Sequence, residues 1–177
     1  MVPILDSFTC PCGLGMLIVM KEDMVLGNAP AHLFESAGHR LAHQFLEGIR
    51  FMHHNLVAHL DIKPNNIVIR PQVQLFIIDL SVSVRVPELE SRMNGYQGTK
   101  GWVAPEVVQD PDGGYQPILA DLWPTGKMLR YFAQRQPAHR SEMESLARRL
   151  MNSNPQRRPL LRTISLDTLF GQGQAEA

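Results

Sequence analysis

The chain has 177 residues, and its 17 basic and 17 acidic side chains cancel to a formal net charge of zero. This balance argues against nucleic acid or an anionic membrane surface as a partner. A chain of this length is expected to form one domain that buries about 70% of the surface of its unfolded form. The sequence has no apolar run long enough to span a bilayer and no recognisable cleavable leader, so we expect a cytoplasmic or nuclear protein.

Two strands are predicted first along the chain. Met1–Phe8 and Leu14–Met20 are apolar, β-branched runs separated by a turn that contains proline and glycine, which is typical of a β-hairpin. Residues 21–30 begin with a polar stretch and end in a Gly-Asn-Ala-Pro sequence, and we interpret them as a connector.

A helix and a second hairpin are predicted next. The helix runs from His39 to about His54, because apolar residues recur there at intervals of four and three. Those apolar residues are Leu41, Phe45, Ile49 and Met52. Asn66–Arg70 and Gln74–Ile78 are short apolar runs with Pro71 between them, which predicts two antiparallel strands.

The rest of the chain is predicted to be one long loop followed by helices. Residues 82–103 lack periodicity and carry proline, glycine and asparagine, so we expect a long loop, and loops of this length are usually either functional or disordered. Helices are predicted at Asp121–Arg135, Ser141–Met151 and Leu160–Phe170, and the small polar residues 171–177 are predicted to be frayed. The inward positions of the middle helix are Met143, Leu146 and Leu150.

Three short motifs follow one another in the middle of the chain. Residues 59–66 read His-Leu-Asp-Ile-Lys-Pro-Asn-Asn, residues 79–81 read Asp-Leu-Ser, and residues 104–106 read Ala-Pro-Glu. A catalytic loop of the type His-Arg-Asp-Leu-x-x-x-Asn, followed by Asp-Phe-Gly and Ala-Pro-Glu, is the protein-kinase signature. The chain therefore resembles a eukaryotic-type protein kinase of the Ser/Thr type, and specifically its C-terminal lobe.

The resemblance implies an α+β, protein-kinase-like fold in which the N-lobe is mostly missing. Residues 1–20 would be a remnant of the N-lobe sheet, and residues 21–30 would be the hinge. Residues 31–170 would form the mainly helical C-lobe with its short β-hairpins. Residues 171–177 would be a disordered tail.

The resemblance also implies ATP-dependent phosphoryl transfer to serine or threonine of a protein substrate, with ATP and Mg²⁺ as cofactors. Asp61 would orient the substrate hydroxyl and accept its proton, and Lys63 would face the transferred phosphoryl group. Asn66 and Asp79 would be the magnesium ligands, because this ion prefers carboxylate and amide oxygens together with phosphates and water.

The adenine site is implied by the same resemblance. Met20 matches the gatekeeper position, and Val68 would form the floor under the base. The segment whose backbone would meet the adenine ring comprises Lys21, Glu22 and Asp23.

Further contacts are implied around the catalytic loop. Thr99 would hydrogen-bond this loop, Glu106 would form a buried ion pair with Arg158, and Asp121 would brace the loop through backbone hydrogen bonds. Pro124 would lie in the first turn of the helix that begins at Asp121, where proline is tolerated. A hydrophobic stack would be formed by Ile4, His59 and Leu80.

The sequence departs from the kinase pattern in three ways. It has no glycine-rich loop and no lysine–glutamate pair ahead of residue 20, so we expect the chain as given to be inactive or incomplete as an enzyme. Leu60 replaces the arginine that normally reads a phosphate on the activation loop, and Ser81 replaces a glycine.

These departures keep two alternatives open beside the kinase. One is a pseudokinase-type module that binds or scaffolds a partner protein. The other is a small-molecule phosphotransferase of the aminoglycoside-kinase type, which shares a His-x-Asp-x-x-x-x-Asn loop. Lys63-Pro64 and the Ala-Pro-Glu motif at 104–106 disfavour the second alternative.

Overall fold

The computed structural model describes residues 4–9, 16–20, 23–109, 113–137 and 139–170. The strands are β1 Ile4–Thr9, β2 Met16–Met20, β3 Met24–Val25, β4 Val57–Ala58, β5 Ile67–Arg70, β6 Gln74–Ile77 and β7 Val84–Arg85. The helices are α1 Ala31–His54, α2 Pro105–Gln109, α3 Pro117–Ala133, α4 Arg140–Leu150 and α5 Leu166–Phe170. None of the helices in the described part of the chain has the length and hydropathy needed to cross a bilayer.

Both predicted hairpins are confirmed. Strands β1 and β2 pair antiparallel, with Phe8 opposite Leu17. Strands β5 and β6 also pair antiparallel, with Val68 opposite Phe76. The short strand β3 pairs with the other edge of β5, so the middle of the predicted connector is part of a three-stranded sheet.

The first helix begins at Ala31, so the predicted start at His39 was wrong, whereas the predicted end at His54 is confirmed. The added turns bury Phe34, Ala37 and Gly38. Glycine has low helix propensity and exposed polar residues lie between these positions, which weakened the apolar pattern in the sequence.

The central helix α3 begins at Pro117 and not at Asp121. Pro117 therefore occupies the first helical position, where a missing N–H costs nothing. Pro124 lies in the helix interior, so its predicted place in the first turn was wrong. Proline has no N–H to give to the carbonyl four residues earlier, and here that carbonyl belongs to Ala120.

The C-terminal helices follow the prediction in part. Helix α4 forms where expected and buries Met143, Leu146 and Leu150. The predicted helix Leu160–Phe170 is instead a 3₁₀ turn at Leu161–Thr163 followed by the five-residue helix α5. The predicted tail at 171–177 lies outside the described residues.

The apolar core has two parts. The larger part joins α1, α3, α4 and α5, and includes the fully buried Phe34, Phe45 and Phe132. The smaller part includes Leu60 of the catalytic-loop motif and draws residues from the long segment 82–103. The second part shows that this segment, although irregular, packs on the body of the domain.

A buried ion pair joins the start of α2 to the C-terminal region. The two guanidinium nitrogens of Arg158 donate to the two carboxylate oxygens of Glu106, at 2.6 and 2.7 Å. Arg158 also donates to the carbonyls of Leu119 and Asn152, at 2.8 and 2.9 Å. The pair predicted from the sequence is confirmed, and the bond of Arg158 to Leu119 joins both of its partners to α3.

Replacing Glu106 with glutamine is expected to lower the free energy of unfolding by about 3 kcal/mol, because the change leaves the Arg158 guanidinium, which is 0% exposed, without its counter-charge. Urea unfolding at neutral pH measures the effect. The matched control is Glu144→Gln, since Glu144 pairs with Arg140 on the exposed surface of α4. Such surface pairs contribute roughly 0.5 kcal/mol or less, so equal losses for the two variants would contradict the prediction.

Candidate functional site

Asp121 of α3 holds the backbone of the catalytic loop. Its side chain is 1% exposed, and its two oxygens accept hydrogen bonds from the backbone N–H groups of His59 at 2.6 Å and Leu60 at 2.8 Å. The ring nitrogen Nε2 of His53 lies 3.2 Å from the same carboxylate. The predicted bracing role of Asp121 is confirmed, and it fixes the loop immediately before Asp61.

The Asp61 carboxylate lies at the centre of a closed hydrogen-bond network. Its Oδ1 accepts from the Thr99 hydroxyl at 2.7 Å, and its Oδ2 accepts from Lys63 Nζ at 2.6 Å and from Asn66 Nδ2 at 3.0 Å. Lys63 also donates to the Thr99 hydroxyl at 2.7 Å. Three side chains therefore meet at one carboxylate, two from the same loop and Thr99 from 38 residues further along the chain, and the predicted contact of Thr99 with the catalytic loop is confirmed.

The network controls the charge of Asp61. Burial raises the pKa of the carboxyl group, but the hydrogen bonds from Lys63, Thr99 and Asn66 outweigh burial, so the net pKa lies below its usual value. Asp61 is therefore ionised at neutral pH. An ionised carboxylate with fixed orientation can accept a hydrogen bond, and then a proton, from a hydroxyl group.

One side-chain contact and one backbone contact join the catalytic loop to the segment that carries Asp79. His59 Nε2 lies 3.0 Å from the carbonyl of Ile78, and the N–H of Ile78 donates to the carbonyl of Asn66 at 2.9 Å. These contacts place the start of β5 beside the end of β6. The two predicted metal ligands, Asn66 and Asp79, thus lie on adjoining loops.

The two predicted metal ligands differ in how tightly they are held. Asn66 is 5% exposed, and its amide nitrogen donates to both the backbone and the side chain of Asp61. The amide oxygen takes no part in these two hydrogen bonds. Asp79 is exposed, has a left-handed φ of 63°, and accepts a 2.6 Å hydrogen bond from the Ser81 hydroxyl. One amide oxygen and one carboxylate suit Mg²⁺, which takes its other ligands from phosphates and water.

No group of three histidine, cysteine, aspartate or glutamate side chains is arranged to hold a metal within the ranges that the structure describes. Zinc sites need such a group, whereas the predicted magnesium site does not. The roles of Asn66 and Asp79 as ligands stay a prediction.

The predicted adenine site is described only in part. Met20 ends β2, Lys21 and Glu22 lie outside the described residues, and Asp23 forms a largely buried ion pair with Arg70 at 2.9 Å. Val68 lies in the middle of the three-stranded sheet and is 6% exposed. The adenine contacts of these residues stay predictions.

The predicted stack of Ile4, His59 and Leu80 is not enclosed. His59 is 0% exposed, but Leu80 is 57% exposed. The side chain of Ile4 lies outside the described part of the chain. Leu80 therefore presents an apolar surface to solvent beside Asp79.

Two residues that take part in the site were not recognised in the sequence. His53 contacts Asp121, and Lys127 of α3 donates to the carbonyl of Gly101 while its ammonium lies 5.2 Å from the Trp102 ring centre. Both contacts join residues that are distant in sequence. Neither residue belongs to a motif, so the sequence carries no local signal for them.

Comparison with known proteins places this arrangement in a family. The protein kinase domain family matches residues 19–167, and the chain belongs to that family. The predicted α+β fold, mainly helical with short antiparallel strands, and the predicted Ser/Thr type are both confirmed.

Three relatives illustrate the similarity. A probable serine/threonine-protein kinase of Candida glabrata is 35% identical over 66% of this chain. Misshapen-like kinase 1 of Rattus norvegicus is 30% identical over 65%, and a serine/threonine-protein kinase of Caenorhabditis elegans is 28% identical over 71%. The aligned part of this chain spans only 15%, 8% and 11% of these relatives, respectively.

Replacing Asp121 with asparagine is expected to lower the free energy of unfolding by about 2 kcal/mol, because the backbone N–H groups of His59 and Leu60 lose a charged acceptor. Hydrogen exchange of these two amides should accelerate at the same time. The control is Asp167→Asn, whose side chain is 76% exposed. The bracing role would be contradicted if the Asp121 variant matched the control both in free energy of unfolding and in the exchange rates of these two amides.

Proposed function

We propose that the site transfers the terminal phosphoryl group of ATP to a serine or threonine hydroxyl of a protein substrate. The observation that supports this proposal most is the Asp61 carboxylate, which is ionised and held by Thr99, Lys63 and Asn66. Membership in the protein kinase family supports the protein substrate and the use of ATP and Mg²⁺. Phosphoryl transfer depends mainly on positioning and charge, and the network provides both.

In this mechanism each residue has one task. Asp61 accepts a hydrogen bond from the substrate hydroxyl, aligns it for attack and takes up its proton. Lys63, whose ammonium already lies 2.6 Å from Asp61, places positive charge beside the phosphoryl group. Thr99 keeps Asp61 and Lys63 in contact.

Two residues would hold the metal ion. Asn66 would bind Mg²⁺ through its amide oxygen and Asp79 through its carboxylate. A bound magnesium ion supplies positive charge against the phosphate oxygens. The Ser81 hydroxyl, hydrogen-bonded to Asp79 at 2.6 Å, fixes the orientation of that carboxylate.

Asp61→Asn is expected to reduce phosphorylation of a generic serine/threonine peptide or protein by about 10²–10⁴-fold, because the amide cannot take up the proton. The assay follows transfer of labelled phosphate from ATP with Mg²⁺ present. It uses the longest native form of the protein, since the glycine-rich loop and the lysine–glutamate pair of the family are not in the printed sequence.

The control for this experiment is Asp167→Asn, an exposed carboxylate on α5 that should leave the rate unchanged. Thermal midpoints of both variants are compared with wild type, so that loss of folding is not read as loss of activity. Equal transfer by wild type and Asp61→Asn would remove Asp61 from the proposed role.

A second candidate function is a binding module without phosphoryl transfer. It is supported by the exposure of two large apolar side chains, Leu80 at 57% and Phe51 at 70%, and exposed apolar surface often marks interfaces. The labelled-phosphate assay separates the two candidates. Transfer that does not exceed the Asp61→Asn background would favour the binding module.

A further inference from the structure

We propose that Lys127 selects protein substrates that carry an aspartate or glutamate within three residues of the phosphorylated serine or threonine. The proposal rests on the proposed function, because it names a class of substrate for the same site. Lys127 lies in the central helix α3 and contacts the segment that also supplies Thr99 to the Asp61 carboxylate. It therefore places a positive charge close to the position where a substrate hydroxyl would meet Asp61.

Two contacts hold the Lys127 ammonium in a defined place. It donates to the carbonyl of Gly101, and it lies over the Trp102 ring, 5.2 Å from the ring centre. A cation at this distance from an indole is attracted by the face of the ring but keeps its full charge. An acidic ligand that binds this ammonium therefore does not have to order a mobile side chain first.

The charge of Lys127 is not balanced by an acidic side chain of the described residues, since no carboxylate among them forms an ion pair with it. Asp61, which contacts Thr99, is paired with Lys63. Glu106, which follows the same stretch of chain, is paired with Arg158. An ammonium has three donors, and one of them is used by Gly101 at an exposed position. Two donors remain for an acidic group from outside the chain.

The distance between Lys127 and Asp61 suits a residue close to the phosphorylated one. The Thr99 hydroxyl lies 2.7 Å from the Asp61 carboxylate. The N–H of Trp102 donates to the carbonyl of Thr99 at 2.9 Å, and residues joined by such a turn have Cα atoms within about 7 Å of each other. An extended peptide advances by about 3.3 Å per residue, so the ammonium lies roughly two to three residues from the hydroxyl that would meet Asp61.

The surface beside Lys127 has room for a peptide and the charge to attract an acidic one. Gly101 has a positive φ of 85°, and an added Cβ there would meet no heavy atom of the described residues within 4 Å. Lys100 is exposed and adds a charge of the same sign, and residues 98–103 contain no acidic side chain. The chain as a whole has no net charge, so this positive surface is local. It favours an acidic peptide over a basic one.

A purely structural role of Lys127 would have a different signature. In that case the lysine would only fix the carbonyl of Gly101, and its loss would weaken the binding of every peptide equally. Selection by charge instead changes the ratio of the dissociation constants of a neutral peptide and an acidic one. Both constants are measured on one preparation of each variant, so a partly unfolded fraction does not alter their ratio.

The test uses peptides with neutral flanks in which aspartate or asparagine stands at each of three positions on either side of the central residue. That residue is alanine in place of serine, so the measurement needs no phosphoryl transfer. Fluorescence anisotropy gives the dissociation constants for the longest native form of the protein. With wild type we expect the best aspartate peptide to bind about fivefold tighter than its asparagine counterpart, as for a partly exposed ion pair. Raising the salt concentration from about 0.05 M to about 0.5 M should reduce this advantage.

Variants separate Lys127 from its surroundings. Lys127→Met should bring the ratio to about one, Lys127→Arg should keep it, and Lys127→Glu should favour a peptide with lysine at that position. If Lys127→Met does not fold, Lys127→Gln replaces it, because its amide still carries a donor for a carbonyl. The control is Arg162→Met, which removes an exposed cation from the 3₁₀ turn at Leu161–Thr163 and should keep the wild-type ratio. Lys100→Met should keep about half of the preference or more, because no fixed position is assigned to that exposed charge.

Three results would overturn the proposal. They are a wild-type ratio of about one at every position, no detectable binding of any aspartate peptide, and a preference that persists in Lys127→Met. The same peptides with serine restored are then assayed for transfer of labelled phosphate from ATP. Transfer without an acidic preference would contradict this proposal and leave the proposed function standing. An acidic preference in binding without transfer would support this selection by Lys127 and contradict the proposed phosphoryl transfer.

Discussion

The site depends on one buried carboxylate. Asp121 is 1% exposed, and an isolated charge at such depth would be strongly unfavourable. It is stabilised because the N–H groups of His59 and Leu60 and the ring of His53 surround it. The hydrogen bonds that stabilise this buried carboxylate also hold the catalytic loop against helix α3. The position of Asp61 in that loop therefore depends on the buried Asp121.

The two halves of the site are built differently. The half around Asp61 is closed, since Thr99, Lys63 and Asn66 all donate hydrogen bonds to its carboxylate. The half around Asp79 is open, with an exposed carboxylate and an exposed Leu80 beside it. The proposed acid–base role of Asp61 needs the fixed orientation of the first half, whereas the proposed metal ion and nucleotide need access from outside.

Much of the site was predictable because its residues lie in short motifs. The motif at residues 59–66 contains Asp61, Lys63 and Asn66. The resemblance of the chain to protein kinases also indicated the contacts of Thr99 and Asp121 and the pair Glu106–Arg158. The participation of His53 and Lys127 was not predictable, because their contacts join distant parts of the chain and depend on how α1 and α3 pack. A single sequence carries no local signal for such packing.

The fold was predicted least well where local signals conflict with tertiary contacts. Helix α1 extends back to Ala31 because Phe34 is buried against α3, with its ring 6.3 Å from that of Phe132, although the local pattern is weak. Pro124 is tolerated inside α3 because this helix is held on several sides by the core, whereas propensity alone would end the helix near it. Strand β3 is only two residues long and exists through its pairing with β5.

The most direct test of this account is the titration of the Asp61 carboxyl group, followed by carbon NMR in the ligand-free protein. The hydrogen bonds of Lys63, Thr99 and Asn66 predict a pKa below the ordinary aspartate value of about 3.9. The pKa should rise in Lys63→Met, which removes a hydrogen bond and a positive charge while burial remains. An ordinary or raised pKa in wild type would mean that the network is not assembled in the free protein, and would contradict the central claim.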